Sequence, residues 1–229
     1  MVSRIHPHLF ALVLLITGSA AALHAQDRPS VFQSWNEVQL IVPIARDVGS
    51  DGKSVNRVTS IFSGIARVGR GELVDGRLGL ELDFRGNKYV TLVTSILERT
   101  DEAVDNHQHS EIRIAGGATF TFNVKNFSIR DRNLYERRAR AGRSDISVYR
   151  QRLQISHPLR YKGKTIFSPF LSEECFYDMS VGSFNNNELF LGVTRTLRNG
   201  TDLDIAYIRN DTNPANVNGL SLALKITLR

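Results

Sequence analysis

The densest set of chemistry-bearing residues lies in YERRARAGRSDISVYRQRLQI, residues 135–155. Arg137, Arg138, Arg140, Arg143, Arg150 and Arg152 accompany Glu136 there, with Arg132 just upstream and Glu174 downstream in FLSEECFYD. A guanidinium is permanently charged and presents a planar fork of donors that matches a carboxylate. At every second position of an extended chain such groups share one face, and adjacent strands can join them as cross-strand ion pairs. The expected chemistry is electrostatic. Arg132, Glu136, Arg138, Arg150, Arg152 and Glu174 form one charge network, either structural or lining a transport path.

Other reactive residue types lead to no predicted centre. His107 and His109 in DNHQHSE could ligate a metal with Asp105 or Glu111, but no third ligand sits at a defined spacing, so no metal site is predicted. Ser156 and His157 are adjacent and fall on opposite faces of a strand, which precludes a dyad between them. No G-x-S-x-G or related nucleophile motif occurs, and no catalytic residue or cofactor is predicted. His157 precedes Pro158 and reads as a turn or capping residue. Cys175 shares a face with Leu171 and has no basic partner nearby in sequence, so it reads as an apolar filler. The arginines interleave with acids and lack an aromatic stacking pattern, which argues against nucleic acid.

The elements that carry these residues are strands. In RLGLELDF, Leu78, Leu80, Leu82 and Phe84 alternate with Gly79, Glu81 and Asp83. SEIRIAGGATFTFN, WNEVQLIVPI and GLSLALKITLR repeat the period of two. Asp51-Gly52, Asp75-Gly76, Gly86-Asn87 and Asn199-Gly200 are the expected tight turns, where positive φ must be tolerated. The predicted strands are 35–44, 55–68, 77–85, 88–98, 111–123, 127–140, 145–157, 164–177, 187–197, 202–210 and 217–228. Short and longer connections roughly alternate, as in an up-and-down barrel. Because single-chain outer-membrane barrels have even strand numbers, these eleven ranges are expected to resolve into ten or twelve.

The chain opens with Arg4, the apolar run LFALVLLI and a small-residue exit, the layout of a secretory signal peptide over residues 1–25. Its removal takes away one arginine and no acid, lowering the net charge from +6 to +5. Residues 26–229 form a single expected domain with no linker or low-complexity tract. One cysteine excludes an internal disulfide framework, and beyond the leader no apolar run is long enough for a membrane-spanning helix.

Alternation does not say which face meets water. A membrane barrel turns its apolar face to lipid and holds the arginine ladder in its lumen, whereas a soluble sheet leaves that ladder in solvent. The terminal strand, apolar at every second position, resembles the assembly signal of outer-membrane barrels and implies the barrel assembly machinery as a partner. The order WNEVQLIVPI, RNLYERRAR, VYRQRLQISHPL, FLSEECFYD, FNNNELFLGVTRTL and LDIAYIRN resembles the domain of unknown function 2490 family. The likeness is carried by Trp35, Arg132, Glu136, Arg138, Arg150, Arg152, Glu174 and Asn187. It implies a Gram-negative outer-membrane β-barrel and no particular activity.

The expected object is an all-β, antiparallel, up-and-down transmembrane barrel of ten to twelve strands in the outer membrane. Its role is structural or narrow transport, and its partners are membrane lipids and lipopolysaccharide. The alternatives are a soluble periplasmic, lipocalin-like binding barrel and an outer-membrane lipid hydrolase using His157.

Overall fold

The computed structural model describes residues 30–48, 52, 54–102, 108–162, 164–198, 200–212 and 215–228. The signal-peptide segment, His107 and Asp105 lie outside the described residues. Twelve strands follow one another: β1 (Ser30–Val48), β2 (Ser54–Gly69), β3 (Glu72–Arg85), β4 (Val90–Glu102), β5 (Gln108–Val124), β6 (Phe127–Arg140), β7 (Ile146–Ser156), β8 (Leu159–Tyr161), β9 (Lys164–Asp178), β10 (Ser183–Arg198), β11 (Thr201–Thr212) and β12 (Asn216–Thr227). Each consists mainly of residues that alternate in polarity, the pattern that suits a sheet with two unlike faces.

Eleven of the twelve close into a barrel. Successive strands pair antiparallel, β7 skips to β9, and the three-residue β8 folds back on β9 alone. The ring shuts where β1 pairs with β12, in parallel, from Ser30↔Asn216 to Ile41↔Thr227. The eleven ranges read from the alternation are therefore the eleven barrel strands, and the expected even number is corrected. In an up-and-down chain of odd count the first and last strands run the same way, so the closing seam must be parallel. The backbones approach closely there. A Cβ on Gly219 would overlap the carbonyl of Gln33, so only glycine fits that rung.

A second correction concerns Asp75-Gly76, which lies inside β3 and makes no turn. The β2–β3 hairpin turns at Arg70 and Gly71, both at positive φ (54° and 84°), as a tight two-residue hairpin connection favours. Asp75 is instead drawn into the barrel interior by arginines. At the β3–β4 turn the Asn87 side chain accepts hydrogen bonds from the backbone N–H groups of Tyr89 (2.7 Å) and Val90 (3.0 Å).

The barrel wall separates the two polarities. Large apolar side chains stand exposed on the outside, among them Leu78 (69% exposed), Leu191 (60%) and Ile114. The buried side chains point inward and include Glu111, Arg113, Glu136, Glu174 and Glu188. Apolar packing within is limited to small clusters, such as Trp35 with Ile208 and Val217.

Candidate functional site

The first interior cluster is built by three neighbouring strands that contribute every second residue. β6 points Arg132, Leu134, Glu136 and Arg138 inward, β7 points Arg150 and Arg152, and β9 points Ser172, Glu174 and Phe176. Register sets Arg132, Arg152 and Glu174 on one rung, and Leu134, Arg150 and Phe176 on the next. The Arg150 side chain is long enough to slant from its rung to the carboxylates on either side.

Arg150 therefore bridges the two acids. Its Nη1 donates to Glu136 Oε2 at 2.6 Å, while Nε and Nη2 donate to Glu174 Oε1 at 3.0 and 2.8 Å. Arg138 Nε donates to Glu136 Oε1 at 2.5 Å, and Arg152 Nε to Glu174 Oε2 at 2.9 Å. The result is an unbroken chain from Arg138 through Glu136, Arg150 and Glu174 to Arg152. Both carboxylates are 2% exposed, so charge-assisted bonds replace nearly all of their hydration. Arg152 and Arg150 also lie over the Phe190 and Phe176 rings, at 5.6 and 4.9 Å from the centroids. Arg132 stands apart from this chain and pairs with Glu81 on β3, across the interior.

A second cluster was not singled out from the sequence. Asp75 accepts from Arg77 at 2.7 Å, from Arg99 at 2.9 Å and lies 3.7 Å from Arg67. Arg67 also reaches Glu188 on β10 at 3.6 Å and stacks 3.3 Å above the Trp35 ring. Arg113 pairs with Glu111 and lies 3.9 Å from Glu136, which extends the first cluster onto β5. The signal for Arg113 was its alternation with Ile112 and Ile114, and for Arg77 its place beside Leu78, whereas Arg99 lies between Glu98 and Thr100 and carried no such signal. Asp75 was hidden because Asp-Gly reads locally as a turn.

The remaining interior space is about 1440 Å³ and is lined by both signs of charge, for example Glu37, Asp83, Arg130, Asp204 and Lys225. Lys225 donates to Asp204 at 2.6 Å. Because Glu136 and Glu174 are each held by two or more guanidinium groups, neither is placed as a free base or nucleophile.

The other candidates fall elsewhere. His157 Nδ1 lies 3.2 Å from the Asn126 carbonyl and its ring packs on Phe127 at 4.7 Å. His109 pairs in register with Asp101, and no group of three metal-ligating side chains occurs among the described residues. Cys175 sits on the outer face, between Gln151 and Asn187 in register.

The family profile described as "Protein of unknown function (DUF2490)" matches residues 32–220. A search of curated proteins finds no match. Among solved structures, the chain is similar to the beta domain of the Bordetella autotransporter BrkA, with 14% identity and a TM-score of 0.40 over 73% of this chain and 78% of that one. It is also similar to an anion-selective porin from Comamonas acidovorans, with 16% identity and a TM-score of 0.36 over 79% of this chain and 59% of that one.

Proposed function

The chain belongs to the DUF2490 family of proteins of unknown function, and from that premise we propose that it is an outer-membrane β-barrel with a structural or narrow-transport role and no enzymatic activity. One observation carries this reading: the polarity of the barrel is inverted relative to a soluble one. Leucine and isoleucine side chains project outward around the wall while Glu136, Glu174, Arg113 and Asp75 are buried inside.

Physical cost separates the alternatives. A soluble barrel with this exterior would expose a continuous apolar surface far larger than the few hundred Å² that monomeric proteins tolerate. A lipocalin-like barrel would also need an apolar interior for its ligand, and here the interior is occupied by ion pairs. In a bilayer the same arrangement satisfies both surfaces, because every strand's backbone groups are paired around the ring and the outer side chains meet hydrocarbon.

Transport is narrow in this reading because side chains cross the lumen. Arg67 meets Glu188, and Arg132 meets Glu81, each from a non-adjacent strand. The lipid partners follow from the exterior, and exposed Arg57 and Arg137 stand at opposite ends of the barrel, so that the one at the outer-leaflet end meets lipopolysaccharide phosphates. Insertion falls to the barrel assembly machinery.

The test is fractionation of cell envelopes followed by electrophoresis with and without boiling, then planar-bilayer recording. Recovery in the outer membrane, a heat-dependent mobility shift and small or absent conductance are expected. A soluble protein with no shift refutes the barrel's location, and a large stable pore refutes the narrow lumen.

A further inference from the structure

The outer wall is not uniformly apolar. On β6, β7, β9 and β10 the outward row Tyr135, Tyr149, Tyr177 and Phe184 is aromatic, as expected where a barrel meets the lipid headgroups. Two rungs inside lies the row Asn133, Gln151, Cys175 and Asn187, and two rungs further the row Asp131, Leu153, Glu173 and Leu189. Leu153 and Leu189 already interrupt the second of these rows, and the next row, Ile129, Ile155, Leu171 and Leu191, is apolar throughout. These polar side chains alternate along their strands with inward Arg132, Arg150, Glu174 and Glu188, so they face away from the lumen.

Within the wall they are only partly satisfied. Gln151 Nε2 donates to Asp131 Oδ1 at 3.2 Å, Asn187 Nδ2 to Glu173 Oε1 at 3.0 Å, and the Tyr149 hydroxyl to Asn133. Among the described residues no lysine or arginine lies within ion-pair distance of Asp131 or Glu173. Two carboxylates and three amides gathered on the outward faces of four neighbouring strands at hydrocarbon depth require polar partners from outside the chain.

We propose that this strip on β6, β7, β9 and β10 is the interface through which two copies of the chain pair side by side in the membrane, a proposal that rests on the membrane-barrel reading. The occupant follows from complementarity. Two copies inserted in the same direction are related by a two-fold axis along the membrane normal, and such an interface is isologous. An axis running along β7 sets Gln151 against Gln151, and an amide both donates and accepts. It also brings β6 of one copy against β9 of the other, so that the Asn133 amide, a donor, and the Glu173 carboxylate, an acceptor, stand on opposed strands. Hydrogen bonding of this kind is a recognised adhesive between membrane-embedded elements. A lipid tail supplies neither group.

The experiment uses the full chain in phosphatidylcholine vesicles. In a Cys175→Ser background, Gln151→Cys is oxidised and compared with Phe62→Cys on the outer face of β2, across the barrel. A disulfide-linked dimer from Gln151→Cys and none from Phe62→Cys is expected. Adding Asn133→Leu with Glu173→Leu should lower the dimer yield by roughly tenfold, the scale of a polar contact between membrane elements. A heat-modifiable, membrane-bound barrel that gives no Gln151→Cys dimer, or equal yields at both positions, overturns the interface and leaves the barrel reading standing. A protein that stays soluble and shows no mobility shift overturns both.

Discussion

Arg67 on β2 reaches Glu188 on β10 at 3.6 Å, although four strand-to-strand steps separate them around the ring. The same guanidinium is stacked on Trp35 and lies 3.7 Å from Asp75. One side chain thus ties three parts of the barrel wall together across the lumen. Its removal should widen the path. Planar-bilayer recording of Arg67→Ala is expected to show a larger single-channel current than the parent protein, whereas Arg57→Ala, an exposed pair with Asp47, should leave it unchanged. Equal currents in all three would show that the constriction lies elsewhere.

Glu174 holds both Arg150 and Arg152. Glu174→Ala leaves Arg150 with Glu136 alone and takes from Arg152 its carboxylate partner, and truncating one partner of a buried ion pair costs about 3–5 kcal/mol. Water in the lumen reduces that cost to roughly the lower end. Glu174→Gln keeps the size and some hydrogen bonding, so its loss should be smaller. Urea unfolding of the refolded barrel, followed by the heat-dependent mobility shift, measures both. No loss in either variant would mean that the network does not stabilise the fold.

Leu222 on β12 faces outward and is exposed. Leu222→Arg is expected to destabilise the barrel in vesicles by about 2–4 kcal/mol, the cost of arginine on the lipid face near the bilayer midplane. In a soluble barrel the same change would be near neutral. Urea titration in lipid vesicles distinguishes the two cases.

Trp35 is the single tryptophan, and it points into the lumen beneath Arg67. Its fluorescence in vesicles of brominated lipid should therefore match that in ordinary lipid. Strong quenching by the bromine atoms would place its ring in the bilayer and reverse the assignment of the two faces.

The parallel seam can be tested by its register. Ser34 lies opposite Leu220, so Ser34→Cys with Leu220→Cys, in a Cys175→Ser background, should form a disulfide within one chain and keep the barrel closed after boiling. Gly219→Val, which would drive side-chain carbon into the Gln33 carbonyl, should abolish the heat-modifiable form. A disulfide that never forms would mean that β1 and β12 are not neighbours.

Much of this protein is local in origin. Alternation placed Leu78 and Leu80 on one face and Glu81 and Asp83 on the other, and it yielded the eleven barrel strands, because a period of two is a property of an extended chain before it meets any neighbour. The face shared by Arg150, Arg152 and Gln154 was readable for the same reason. Other features depend on non-local meetings. Which strands close the ring is settled by the first and last elements finding each other, so an expectation of even count missed the parallel seam between β1 and β12. Asp75-Gly76 has turn chemistry, yet burial beside Arg67, Arg77 and Arg99 outweighs that preference. The pairing of Arg132 with Glu81 arises only when the sheet curves upon itself, since it brings β3 and β6 within reach across an interior that no single strand encodes.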